Sequence, residues 1–218
     1  MPATDFSELS DREKYYMATV LYQGHSSFRM VSNSGLVIYI DPYKGGGYNV
    51  PADVILVTHQ HFDHNRVDQV EKRDDCTIIT NFEAYSDGEY NSFEINDVLI
   101  EAVPAYNKNH KKEECVGYII SVDDSILYFP GDTGITEEMK DYPEKNIDIF
   151  FIPMDGVYTM TLEEAKQCCD IVQPKYCVPI HTAPQYDKED DSLYDLETAE
   201  KFEGKIKVII KPGENFVI

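Results

Sequence analysis

Val54-Ile55-Leu56-Val57-Thr58-His59-Gln60-His61-Phe62-Asp63-His64 joins an apolar run directly to a cluster of ligating side chains. The run Val54–Thr58 is short and β-branched, which suits a buried strand better than a helix. Three imidazoles and a carboxylate follow at once, at His59, His61, Asp63 and His64. On a loop leaving a strand end, such side chains can converge on one point. Imidazole with carboxylate suits zinc, iron, manganese or nickel. A lone histidine is usually a satisfied structural residue, but four ligating groups beside a buried strand read as a metal site.

Other strand exits offer the same chemistry. His181 closes the run Tyr176–Ile180, and Gly131-Asp132-Thr133 follows the apolar run Ile126–Phe129. His110 lies in a loop beyond the strand that ends at Val103. Taken singly, His110 and His181 read equally as ligands or surface residues. Beside the cluster, both read as ligands.

The remaining chain supplies a frame. Strands are predicted within Met17–Val31, Leu36–Ile40, Thr77–Thr80, Ser92–Val103, Val116–Phe129, Ile147–Ile152 and Ile206–Ile210. Helices are predicted over Val67–Arg73, Thr136–Tyr142 and Leu193–Glu203. Another opens at the capping box Thr161/Glu164, runs to about Val172 and is stopped by Pro174. Lys44-Gly45-Gly46-Gly47 is a loop by its glycines. Without repeats or low-complexity linkers, this order says α/β or α+β in one domain over residues 1–218.

Composition narrows the partners. Nineteen basic against 40 acidic residues leave a net charge of −21. Such a surface repels polyanions, and no basic stripe is present to neutralise phosphates, so nucleic acid is excluded as the natural partner. The start, Met1 to Lys14, is too polar for a signal peptide, and no apolar run reaches a membrane span. A cytoplasmic protein with no membrane partner is expected. Cys76, Cys115, Cys168, Cys169 and Cys177 show no zinc-type spacing, and reduced, mostly buried thiols are expected, with Cys168 and Cys169 pointing apart on a helix.

His-x-His-x-Asp-His, a later His, Gly-Asp-Thr and a strand-end His together resemble the metallo-β-lactamase superfamily. Gly24-His25-Ser26, Ile40-Asp41-Pro42 and Pro104-Ala105-Tyr106-Asn107 resemble the branch that contains ascorbate-6-phosphate lactonase. So do Tyr158-Thr159-Met160-Thr161 and Pro179-Ile180-His181. The resemblance implies a four-layer αββα sandwich, with two mixed β-sheets inside, helices outside and metals at one edge. It implies that His59, His61 and His110 hold one ion, that Asp63, His64 and His181 hold a second, and that Asp132 bridges them. The ions would be divalent, zinc first, with manganese, iron or nickel open. His110 departs from the usual pattern, because Asn107-Lys108-Asn109 separate it from the Pro-Ala strand.

The expected activity is hydrolysis of a small, anionic ester, lactone or phosphoester, with Asp63 orienting the nucleophilic water or taking its proton. Asp41 either fixes an imidazole or caps the turn at Pro42. His25 lines the pocket or is structural, and Tyr158 lies in a loop that the resemblance places near the metals. Lys108, Lys111 and Lys112 read as solvated charges balancing Glu113 and Glu114, with an anion-binding role as the other possibility. Phosphodiester cleavage of a phospholipase D type and a non-catalytic metal-binding role are the alternatives. Di-iron oxygen or nitric-oxide reduction is disfavoured by His61, where such relatives carry Glu. Closed structural zinc sites favour thiolates, which speaks for catalysis here. Assembly into a homo-oligomer is left open.

Overall fold

Alternation along the strands decides which side chains meet. Val54 and Leu56 face one way and Ile55 and Val57 the other, the period of two that a strand imposes. The computed structural model describes residues 18–186, 189, 191–204 and 206–218. Met17 and the polar start 1–14 lie outside the described residues.

The strands are β1 (Thr19–Gly24), β2 (Ser27–Val31), β3 (Val37–Ile40), β4 (Ala52–Leu56), β5 (Lys72–Ile79), β6 (Tyr85–Ser86) and β7 (Glu89–Tyr90). They continue as β8 (Ser92–Ile95), β9 (Val98–Pro104), β10 (Val116–Val122), β11 (Ser125–Phe129), β12 (Ile149–Pro153), β13 (Tyr176–Ile180) and β14 (Asn215–Val217). One sheet has the order β14-β1-β2-β3-β4-β5 and the other β13-β12-β11-β10-β9-β8. Both are mixed. β3, β4 and β5 run parallel in the first, and β11, β12 and β13 in the second. Each sheet therefore brings consecutive C-terminal strand ends to one edge.

Between the sheets lies the main core. Val20, Phe28, Ile38, Ile40, Val54 and Leu56 from the first sheet meet Ile100, Tyr118, Ile120, Phe129, Phe151 and Val178 from the second. Burying each such large aliphatic or aromatic group stabilises the fold by about 1.5–3 kcal/mol. The second sheet's outer face packs against helix α2 (Leu162–Val172) and a 3-10 helix, Glu137–Lys145. The Thr161/Glu164 capping box opens α2 as expected. A short α1 (Asn81–Ala84) and α3 (Leu196–Lys201) complete the helices among the described residues. Over the first sheet's outer face, Tyr48, Val50 and Val67 pack on Tyr39, Ile55 and Val57, so loop and 3-10 turn replace a helical layer there.

Several local expectations are corrected. Val67–Arg73 is only a 3-10 turn over Val67–Gln69, and β5 begins at Lys72. Pairing with β4 overrides the helical bias of that polar segment, and its mostly exposed residues blunt a sheet edge. The run Ile206–Ile210 makes one isolated bridge, Cys177 with Lys207, and the closing strand is β14. Cys169 and Cys177 form a disulfide, because α2 packs beside β13 and brings residues eight apart together. Cys168 points away from it, toward Met139. Among the described residues no helix is long and apolar enough to cross a membrane.

Candidate metal centre

Every ligating side chain singled out from the sequence sits where a strand ends. Asp41 follows β3, His59 follows β4, Asp132 follows β11 and His181 follows β13. His110 lies between β9 and β10, and His25 between β1 and β2. Gly131, at φ 63°, admits the Asp132 loop, because a Cβ there would meet Thr58 Cβ at 2.9 Å and Val116 O at 2.8 Å. Three site residues also hold positive φ, His25 at 55°, Asp41 at 44° and His181 at 46°. Non-glycine residues adopt that conformation rarely and at a cost of about 1–3 kcal/mol, so each of these three positions carries local strain.

The side chains gather around Asp132. Its Oδ2 stands 3.9 Å from His59 Nε2 and 3.5 Å from His110 Nε2. Its Oδ1 stands 3.3 Å from both His64 Nε2 and His181 Nε2. His61 Nδ1 is 3.2 Å from His110 Nε2. Asp63 Oδ2 lies 4.0 Å from His64 Nε2 and 3.1 Å from His25 Nε2. Thus one oxygen of Asp132 faces the His59 and His110 side, and the other faces His64 and His181. His25, Asp63, His64 and His181 form a set of donor atoms within 4.8 Å of one another, as do His59, His61 and His110.

These residues fit metal ions on three counts. Donors on one tetrahedral zinc, at about 2.0–2.1 Å each, stand roughly 3.3 Å apart, close to most of the separations here. Among the described residues the buried atoms His59 Nε2, His64 Nε2, His181 Nε2 and Asp132 Oδ1 have no hydrogen-bond partner, which an occupied centre would correct. Finally, Asp41, Asp63, Asp132 and the buried Asp155 side chain pair only with histidines among the described residues. Buried charge needs compensation, which divalent cations would add.

Three of the imidazoles are also aimed from behind. Asp41 accepts from Thr58 N at 2.7 Å on Oδ1, and from Thr58 Oγ1 at 2.7 Å on Oδ2. His64 Nδ1 reaches the same Oδ2 at 2.8 Å, and His59 Nδ1 reaches Thr58 Oγ1 at 3.0 Å. With Thr58 donating to the carboxylate, His59 Nδ1 must be the donor to Thr58. In the neutral rings both Nε2 atoms are then the ones left without hydrogen, and both face the centre. Asn107 Oδ1 does the same for His110 Nδ1 at 3.1 Å.

Without cations the centre distributes protons unevenly. Burial disfavours a charged His64, but the carboxylates of Asp132, Asp41 and Asp63 outweigh it and raise its pKa to about 9. Burial also opposes charge on His181, yet Asp132 and Asp155 hold its pKa well above the usual range. His59 is pushed well below by burial and by the neighbouring His64. Burial and His181 lower His25 to about 4. Burial would raise Asp132, but His181 and His64 hold it well below the carboxylate range.

A family model described as the beta-lactamase superfamily domain matches residues 19–181. The chain belongs to the metallo-β-lactamase superfamily. It is 29% identical over 227 residues to a UPF0173 metal-dependent hydrolase of Pyrococcus horikoshii, covering 91% of this chain and 98% of the relative. A crystal structure of a protein named as a metal-dependent hydrolase from Parabacteroides distasonis superposes with TM-score 0.70 at 30% identity, over 88% of this chain and 92% of that one. The metallo hydrolase Igni18 of Ignicoccus hospitalis shares the fold, with TM-score 0.70 at 22% identity, over 93% and 98%.

The seven residues read from the sequence as ligands, His59, His61, Asp63, His64, His110, Asp132 and His181, come together. His25 is more than pocket lining, since its Nε2 meets Asp63. Asp41 contacts the Thr58 backbone and His64, so it braces the imidazoles as well as leaving the β3 turn. Tyr158 contributes its backbone carbonyl, which accepts from Asn107 and Asn109, while its ring packs against Tyr186. Lys111 and Lys112 pair with Glu114 and Glu138, in keeping with solvated charge. Asp155 was missed by sequence reasoning, although it leaves β12 as the ligands leave their own strands. The strand-exit rule applied to Ile149–Pro153 would have found it.

Proposed function

We propose that this superfamily member is a metal-dependent hydrolase that holds two divalent ions, zinc first, and cleaves a small anionic ester, lactone or phosphoester. The observation that carries this reading is Asp132, whose two oxygens face two different histidine groups. His59, His61 and His110 would hold one ion, Asp63, His64 and His181 the other, with Asp132 between them. Bound there, the ions supply a water acidic enough to ionise near neutral pH and Lewis acidity toward the substrate's carbonyl or phosphoryl oxygen.

The chain's own residues do the positioning. Asp63, fixed by His25, is placed to orient the attacking water and accept its proton. Asp41 keeps His59 and His64 in the tautomers that leave Nε2 open. His61 is the exposed member of its group, so substrate enters from its side. Lys108, exposed on the His110 loop and within electrostatic reach of Glu164, would be the nearest cation on that loop for an anionic substrate. The hydrolase names of the relatives support the reaction class.

Metal content per chain, measured by mass spectrometry after chelator-free purification and after loading with zinc or manganese, tests the reading. About two ions per chain support it, and turnover of lactone and phosphoester panels then sorts the substrate. One ion at most, even after loading, removes it.

A further inference from the structure

Asp155 has a fully buried side chain at the exit of β12 and belongs to neither histidine group. Its two oxygens face different jobs. Oδ2 stands 3.0 Å from His181 Nδ1 as an ion pair, and neither atom has a hydrogen-bond partner among the described residues. Oδ1 accepts from Val157 N at 2.8 Å, Tyr158 N at 2.9 Å and Thr159 N at 3.0 Å, and from Thr159 Oγ1 at 3.1 Å. That oxygen therefore dictates the path of the loop after β12.

The loop in turn braces the other side of the centre. Tyr158 O accepts from Asn107 Nδ2 at 2.9 Å, and the same amide group donates to Asp132 O at 3.1 Å. Asn107 Oδ1 then receives His110 N at 3.0 Å and His110 Nδ1 at 3.1 Å. A continuous chain of contacts runs from His181 through Asp155, Tyr158 and Asn107 to His110.

We propose that Asp155 is a positioning residue that couples the two metal positions, setting the His181 tautomer with one oxygen and the His110 loop with the other. This rests on the two-ion reading above. Physically, a carboxylate is the one group of this size that can accept on both sides. An asparagine has a single acceptor oxygen. If that oxygen keeps the loop, the amide NH2 faces His181 Nδ1, which must then accept. The ring's hydrogen moves to Nε2, and His181 can no longer ligate.

The two arms are separable by Asp155→Asn and Asp155→Ala. Zinc affinity is read by competition with a chromophoric chelator, stoichiometry by mass spectrometry, and the hydrogens on the two His181 ring nitrogens by imidazole 15N shifts in the metal-free protein. Asp155→Asn is expected to weaken one of the two zinc ions roughly 10- to 100-fold and leave the other within about threefold. The metal-free variant should stay folded with a lowered Tm, and His181 should carry its hydrogen on Nε2 alone. Asp155→Ala should weaken both ions. Asn107→Asp, which loses the donors to Tyr158 O and Asp132 O but keeps the acceptor for His110, should weaken only the ion that Asp155→Asn spares. Wild-type affinity for both ions in Asp155→Asn, or a His181 Nδ1 that keeps its hydrogen in that variant, overturns the proposal. Fewer than two zinc ions in the parent protein overturns the two-ion reading instead.

Discussion

Replacing Asp41 by Asn changes one oxygen to NH2, yet it should disable both metal positions. Asp41 Oδ1 accepts from Thr58 N, while Oδ2 accepts from Thr58 Oγ1 and His64 Nδ1. An asparagine that keeps the backbone bond presents NH2 to the other two groups. His64 Nδ1 must then become an acceptor, placing a hydrogen on Nε2, opposite Asp132. Thr58 Oγ1 turns and donates to His59 Nδ1, which reverses that ring as well. Loss of such an outer partner weakens metal binding roughly 10- to 100-fold, so each ion should lose about 1.4–2.8 kcal/mol. The buried mismatch costs the metal-free fold about 1–3 kcal/mol, less than the whole stability of a domain. Chelator competition and metal counting on Asp41→Asn read the effect, with circular dichroism confirming a folded chain. A folded Asp41→Asn protein with parental affinity for both ions would refute the tautomer argument.

Three further outcomes are expected. In the metal-free protein, His64 has a folded pKa of about 9 against an ordinary 6.5. Its stabilising contribution is therefore complete below pH 6.5 and is lost as pH rises through 9. Denaturant titrations should show stability falling across that window, with His181, also held high, adding to the loss, and loading with zinc should abolish the slope because the ion displaces the proton. Asp132→Ala should abolish turnover while leaving a cooperative thermal transition, whereas an unfolded variant would make the residue structural. Reducing the Cys169–Cys177 disulfide, which closes a short loop of separation eight, should cost about 2 kcal/mol and lower Tm by roughly 5 °C, read by calorimetry with and without dithiothreitol.

The ligand residues were legible because their chemistry and their place in the chain coincide. His59 to His64, Asp132 and His181 each follow a short apolar run, and the end of such a run can be read without knowing its partners. The Thr161/Glu164 capping box was legible for the same reason, since a cap depends on residues within one turn. What escaped depends on distant neighbours. The segment from Val67 onward has helical composition, but pairing with β4 makes Lys72–Ile79 a strand. Cys169 and Cys177 lie on different elements, and only the packing of α2 against the second sheet shows that they meet.

Asp155 shows where local reading stops for a physical reason. Its neighbours in sequence, Met154 and Gly156, suggest a turn, and Oδ1 does serve that turn. The other oxygen faces His181, 26 positions further along. His25, Asp41 and His181 make the same point through their backbones, all in a left-handed conformation that local preference disfavours. Such strain persists only where surrounding contacts outweigh it. Here those contacts include His181 N to His25 O at 3.0 Å, Asp41 N to Leu56 O at 2.9 Å and the carboxylate pairs around Asp132. The site is therefore held by the meeting of two sheets rather than by any single loop. A change in the cross-sheet core behind it, such as Phe28 against Phe151 with ring centroids 4.6 Å apart, should loosen metal binding as well as the fold.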